Sequence, residues 1–205
     1  MRLRFLFPAA ALPALLTAPL PTQAQQFLVT KIADTNTLIP GSTRTFDNIY
    51  DARISDGLIT FMGRGPRVNG TREEWGIYAS YGGTVRPLVD KNTLMPDAAS
   101  FFTQFYGYSL DGDRLAFIGH GASDIISPDP AGIYLLEGGT INTVVNRTTP
   151  IPPDNNENFT HFRGTPSIQG NNVAFQALNN GEAVFLYSNG GSVATKVRKL
   201  SFNLL

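Results

Sequence analysis

The chain has 205 residues, 16 Lys plus Arg balanced by 16 Asp plus Glu, and no cysteine. That length suffices for one domain with a real core, the neutral balance offers no basic footprint for nucleic acid, and the missing cysteines exclude a disulfide framework. Only 16% of residues are charged, with 20 Gly, 14 Pro and 11% aromatics, which suits short strands and turns better than helices.

Residues 1–24 read as a cleaved secretory signal. Arg2 and Arg4 give a charged start, Phe5 to Leu20 is apolar, and Thr22 and Ala24 put small residues where a signal peptidase reads. The apolar run is short for a membrane span and is broken by Pro8, Pro13 and Pro19. Cleavage after Ala24 leaves 205 − 24 = 181 residues with 16 − 2 = 14 basic against 16 acidic side chains. The expectation is a secreted or periplasmic protein, not held at a membrane once the signal is removed. A lipoprotein signal is excluded for want of a cysteine.

Residues 25–205 then repeat, in units of roughly 33–90, 91–146 and 147–200. Pro40, Pro96 and Pro152 recur at 96 − 40 = 56 and 152 − 96 = 56. Before each lies an alternating segment, Val29 to Ile32, Val85 to Val89 and Ile141 to Val145, whose period of two predicts a strand with one buried face. After each comes a polar loop and an aromatic pair: Phe46 and Tyr50, Phe102 and Phe105, Phe159 and Phe162.

The most regular unit follows. Ile54-Ser55-Asp56-Gly57-Leu58-Ile59-Thr60-Phe61 recurs as Ser109-Leu110-Asp111-Gly112-Asp113-Arg114-Leu115-Ala116-Phe117 and as Ser167-Ile168-Gln169-Gly170-Asn171-Asn172-Val173-Ala174-Phe175. The closing phenylalanines stand 117 − 61 = 56 and 175 − 117 = 58 apart. A variable loop leads to a second strand, Gly76 to Ser80, Gly132 to Leu136 and Ala183 to Tyr187. Diglycine turns follow at Gly82-Gly83, Gly138-Gly139 and Gly190-Gly191, then a last strand, which in the third copy is Ser192 to Lys199. Each copy thus predicts about four short strands. One such sheet cannot bury both faces alone, so the copies must stack. No stretch from 27 to 200 has a helical period of apolar residues, and the expected class is all-β.

The Ser-Leu-Asp-Gly-Asp-Arg-Leu-Ala-Phe stretch resembles the WD-like propeller repeat of TolB-type proteins. The later Gly-Ile-Tyr and diglycine hairpin resemble secreted bacterial tandem-repeat proteins with an Ala-Phe-centred motif. The proline usual after the serine is missing from all three copies, Thr60 replaces alanine in the first, and Gln169-Gly170 replaces Asp-Gly in the third. Counted from the serine, the first copy is also one residue shorter in its turn. The resemblance implies a β-propeller-like fold of three four-stranded blades of about 56 residues. Complete propellers have about four to eight blades. The expectation is therefore either a piece of a longer propeller or a homo-oligomer that completes one. The N-terminal strand, Phe27 to Ile32, is then surplus, because the third copy has its own last strand.

Candidate chemistry is sparse. Gly107-Tyr108-Ser109-Leu110-Asp111 approaches the hydrolase elbow but ends on Asp111 and enters a hairpin, so Ser109 reads as a repeat serine matched by Ser55. His120, Ser123 and Asp124 are too close in sequence to converge as a triad. Two histidines, His120 and His161, are too few for a histidine metal site. Asp111, Asp113, Asp124 and Asp129 do not match a calcium loop. Glu73 and Glu74 beside Trp75 cannot face one another across a sugar as glycosidase carboxylates do. Sequons stand at Asn69, Asn146 and Asn158. No catalytic, cofactor-binding or metal-binding residue is expected. The function expected is non-catalytic binding or structural work on a protein or glycan. The alternatives are part of a propeller hydrolase or lyase whose catalytic residues lie on other blades, or a repeat remnant with no activity of its own.

Overall fold

A computed structural model describes residues 28–68, 71–72, 74–122, 130–152, 157–178, 181–188 and 192–198. The signal reading of residues 1–24 therefore lies outside the described residues, as do Glu73, Asn69, Ser123, Asp124, Asp129 and the third diglycine.

Three antiparallel four-stranded sheets follow one another along the chain, with no helix among the described residues. The first contains β1 (Asn48–Ser55), β2 (Leu58–Arg64), β5 (Trp75–Tyr81) and β6 (Thr84–Asp90), in that order. A small ribbon, β3 (Arg67–Val68) with β4 (Thr71–Arg72), occupies the variable loop between β2 and β5. The second sheet contains β7 (Phe102–Asp111), β8 (Arg114–Gly121), β9 (Ala131–Glu137) and β10 (Thr140–Asn146). The third contains β11 (His161–Gln169), β12 (Asn172–Leu178), β13 (Glu182–Ser188) and β14 (Ser192–Arg198). Each is a meander, because every connection within a sheet is a hairpin. Gly82 at φ 56° and Gly83 at φ 85° close β5 onto β6, and Gly138 and Gly139 repeat the turn at 56° and 79°.

One predicted strand is not formed. Val29 to Ile32 carry no strand, and Leu28 and Val29 are 91% exposed. An alternating pattern makes a ladder only where a partner strand offers its hydrogen bonds. The fourth place in the third sheet is already taken by β14.

The pairing register also corrects the alignment of the first copy. Ser55 pairs with Leu58, Asp111 with Arg114 and Gln169 with Asn172, so all three hairpins have two-residue loops of equal length. Ser55 therefore corresponds to Asp111, and the counterpart of Ser109 is Arg53, which faces Thr60 as Ser109 faces Ala116. The same register makes Ile49, Phe105 and Phe162 equivalent, paired with Gly63, Gly119 and Ala177. Tyr50 is then the counterpart of Tyr106, not of Phe105.

Every sheet is centred on the same three rings. Phe46, Phe61 and Tyr78 recur as Phe102, Phe117 and Tyr134 and as Phe159, Phe175 and Phe185. The edge-on contact within each trio spans 5.0 Å at 80°, 5.0 Å at 86° and 4.9 Å at 86°. Offset and edge geometries suit the ring quadrupoles and add about 0.5–1.5 kcal/mol per pair beyond burial. The first ring of each trio follows the loop after the proline, Phe102 as the first residue of β7. That loop is fastened by a turn at Asp34, Asp90 and Asn146, where Thr37, Thr93 and Thr149 each offer Oγ1 to the backbone N–H three residues earlier, at 2.9, 3.0 and 2.9 Å.

The trio face of one sheet packs on the opposite face of the sheet before it. Phe102, Phe105, Leu115 and Phe117 meet Met62 and Ile77 of the first sheet. Phe159, Phe162, Val173 and Phe175 meet Ala116, Ile118 and Ile133 of the second. The main core is thus two inter-sheet layers, as stacked repeats require.

Candidate functional site

The first strand of each sheet lies at a sheet edge, and these edges approach one another. All three bulge at the same level, between Tyr50 and Arg53, between Phe105 and Tyr108, and between Arg163 and Ser167. A bulge adds an unpaired residue, bends the strand and re-aims its neighbours, and bulges collect beside functional sites. Here the equivalent residues Tyr50, Tyr106 and Arg163 all line one open cleft of about 630 Å³.

The bulges are held in place from within. Asp51 takes φ 55° without being glycine, and Gly164 takes φ 70°. The Tyr108 hydroxyl donates to the Asp51 carbonyl at 2.6 Å and lies 3.1 Å from Thr60 Oγ1. Burial pushes the Tyr108 phenol up to about 12, so it stays a donor at neutral pH. Where Gly107 meets the third sheet's bulge there is no room for a side chain. A Cβ at Gly107 would stand 2.7 Å from the Gly164 carbonyl and 2.5 Å from Thr165 Oγ1.

Trp75, at the start of β5, and Arg64, at the end of β2, pair across the strands and form the cleft's wall. Trp75 Nε1 donates to the Tyr50 hydroxyl at 3.1 Å. The Arg64 guanidinium lies 5.0 Å from the Tyr50 ring centre and 5.4 Å from that of Trp75. Its Nε is buried with no hydrogen-bond partner among the described residues, so the two ring faces are what hold the cation. Tyr106, 45% exposed, tilts toward Trp75 at 6.3 Å and toward His120 at 4.8 Å. Arg163 pairs with Glu182 at 3.2 Å on the far side. Asp51 is the one carboxylate among the described lining residues, and Arg53 takes it at 2.8 Å.

The residues weighed from the sequence are not gathered here. Ser109 sits in mid-strand opposite Ala116. Asp111 accepts from the Gly170 N–H at 2.6 Å, and Asp113 completes its hairpin turn. His161 opens β11, exposed, 3.2 Å from Thr160 Oγ1. Glu74 is taken by Ser42 at 3.1 Å and Arg44 at 3.4 Å, beside a second, smaller cavity of about 170 Å³. The Asn146 side chain is engaged in its own turn and donates to Asp97. Asn158 bridges to Pro150. No cluster of three His, Asp or Glu occurs among the described residues. The sequence reading did not single out Arg64, Tyr106 or Arg163. The spacing of Tyr50 and Tyr106, 106 − 50 = 56, was the available signal.

Fold and cleft together define an all-β protein of three repeated antiparallel sheets with an aromatic and basic cleft at its first-strand edges. The chain belongs to DUF7453, a family of unknown function whose profile matches residues 29–198. No curated protein and no solved structure matches it.

Proposed function

We propose that this is a secreted or periplasmic, non-catalytic binding protein of β-propeller-like architecture, and that its cleft holds a glycan. The propeller reading is supported by three successive four-stranded meanders whose first strands approach one another and whose faces stack in order. The observation that carries the function is the shared bulge that delivers Tyr50, Tyr106 and Arg163 to one cleft beside Trp75.

Aromatic rings rich in electron density on their faces attract the weakly positive C–H face of a sugar, while its hydroxyls seek fixed polar partners. Tyr106 and Trp75 supply such rings, and Arg64, Arg163 and Asp51 supply donors and an acceptor. Against catalysis stands the neutralised state of Asp51, with no second carboxylate facing it among the described lining residues.

The test is titration calorimetry of the purified protein against neutral and uronate-containing oligosaccharides, with Trp75→Ala as the comparison. Saturable heat that Trp75→Ala removes at unchanged circular dichroism is expected. Heat unaffected by Trp75→Ala, or no heat with any saccharide, would overturn the glycan assignment.

A further inference from the structure

Among the described residues no sheet packs on the trio face of the first sheet, where Ile32 and Ala33 reach the ring cluster, or on the opposite face of the third, and these two faces are complementary in position. Ile49, Ile54 and Ile59 on the trio face of the first sheet correspond to Phe105, Leu110 and Leu115 and to Phe162, Ile168 and Val173. Ile168 is 7% exposed because the second sheet covers it, whereas Ile54 is 69% exposed. At the other end, Ala174, Gln176, Val184 and Leu186 of the third sheet correspond to Thr60, Met62, Ile77 and Ala79 and to Ala116, Ile118, Ile133 and Leu135. Ile77 and Ile133 are fully buried by the following sheet, whereas Val184 is 42% exposed.

Polar contacts stop at the same places. The Gly112 N–H donates to Ser55 Oγ at 2.8 Å, and the Gly170 N–H donates to Asp111 Oδ2 at 2.6 Å, each turn accepting from the next. By that rule Gln169 is the acceptor position for a sheet after the third. The Asp56 N–H is the donor position for a sheet before the first.

We infer that a second copy of this chain supplies both missing sheets, its first sheet packing on the third of its partner and the reverse. The occupant is a second copy because the two end faces hold the same register positions, including the turn donor and acceptor positions, as the two interfaces inside the chain, with Gln176 in place of Met62 and Ile118. Pairing at both ends closes a ring of six sheets, the only multiple of three within the usual span of about four to eight blades. Each end face is covered at once, and no apolar face is left open. This stoichiometry rests on the propeller reading above. Its test reads mass and not glycan, so failure of one is distinguishable from failure of the other.

The experiment is sedimentation velocity on the wild-type protein, on Ile54→Lys and Val184→Asp separately, and on their equimolar mixture. Both side chains are exposed within one chain, so neither substitution disturbs its own fold; circular dichroism verifies that. The wild type is expected at twice the mass of one chain, and each variant at half that. The mixture is expected to return to the double mass, because the lysine face of one then meets the aspartate face of the other. A wild type that stays at the mass of one chain at tens of micromolar would overturn the inference. So would a Val184→Asp variant that remains paired, or a mixture that fails to re-form.

Discussion

Asp111, the last residue of β7, accepts a hydrogen bond from the Gly170 N–H, 59 residues along the chain, at 2.6 Å. Arg114, which closes the same hairpin as Asp111, donates to the Gly170 carbonyl. One turn of the third sheet is thus gripped on both its donor and its acceptor by one turn of the second. Asp111→Ala should remove a net contribution of about 0.5–1.5 kcal/mol. For a chain of this size that lowers the melting temperature by about 2–4 °C for each kcal/mol lost, measurable by calorimetry.

Gly119 lies beneath Phe102, and a Cβ there would stand 2.4 Å from the ring, which Phe117 and Tyr134 hold edge-on. Gly119→Ala should therefore cost about 1–3 kcal/mol by overpacking. The third sheet is the internal comparison, since Ala177 occupies this place beside Phe159. Urea midpoints of Gly119→Ala and of Ala177→Gly would check it. The alanine is expected to be the more damaging change, and the glycine to cost only about 0.5–1 kcal/mol of chain entropy.

Alkali should loosen the stack. Burial raises the phenols of Tyr78, Tyr108 and Tyr134, that of Tyr108 to about 12. The neutral form is favoured in the folded state, so this stability is complete below the unfolded pKa of about 10. It is lost as pH rises through the folded values. Denaturation midpoints should hold steady through pH 9 and fall beyond about 10. Absorbance titration of Tyr78, Tyr108 and Tyr134, each compared with its Phe variant, should place these phenols above the ordinary tyrosine value.

The Asp34 carboxyl sits at about 2, held down first by the Lys31 ammonium at 2.7 Å and then by Thr37. Its contribution is present above the unfolded pKa of about 3.9 and disappears as pH falls through the folded value. Carboxyl NMR should give that low midpoint, and Lys31→Met should move it toward the ordinary aspartate range.

The repeat, the all-β class and the hairpin glycines were legible because period, alternation and turn chemistry are local properties of the chain. The Asp34, Asp90 and Asn146 turns were equally legible at 90 − 34 = 56 and 146 − 90 = 56, but an aspartate in a loop carries no mark of its hydrogen bonds. The bulges were not legible. Tyr50 looks like the second core aromatic of its copy, and only the pairing of Ile49 with Gly63 shows that Ile49 holds that place. An extra residue in a strand shifts every later side chain to the other face, and sequence spacing alone does not reveal where the shift occurs. The predicted strand Val29 to Ile32 failed for the complementary reason, since its pattern was right and its partner was missing.

The chain contains a single tryptophan, and Trp75 is that residue. It stands in the cleft wall, bonded to Tyr50 and facing the Arg64 cation, and its partly buried ring packs against the layer between the first and second sheets. Emission excited at the red edge of the protein band therefore reports on the cleft and on the edge of the first inter-sheet layer, and not on the layer between the second and third sheets. An unlabelled sample carries its own optical probe. Quenching or a colour shift on adding a molecule registers occupancy, while unfolding is followed separately through the phenylalanine and tyrosine signals of the repeated ring trios.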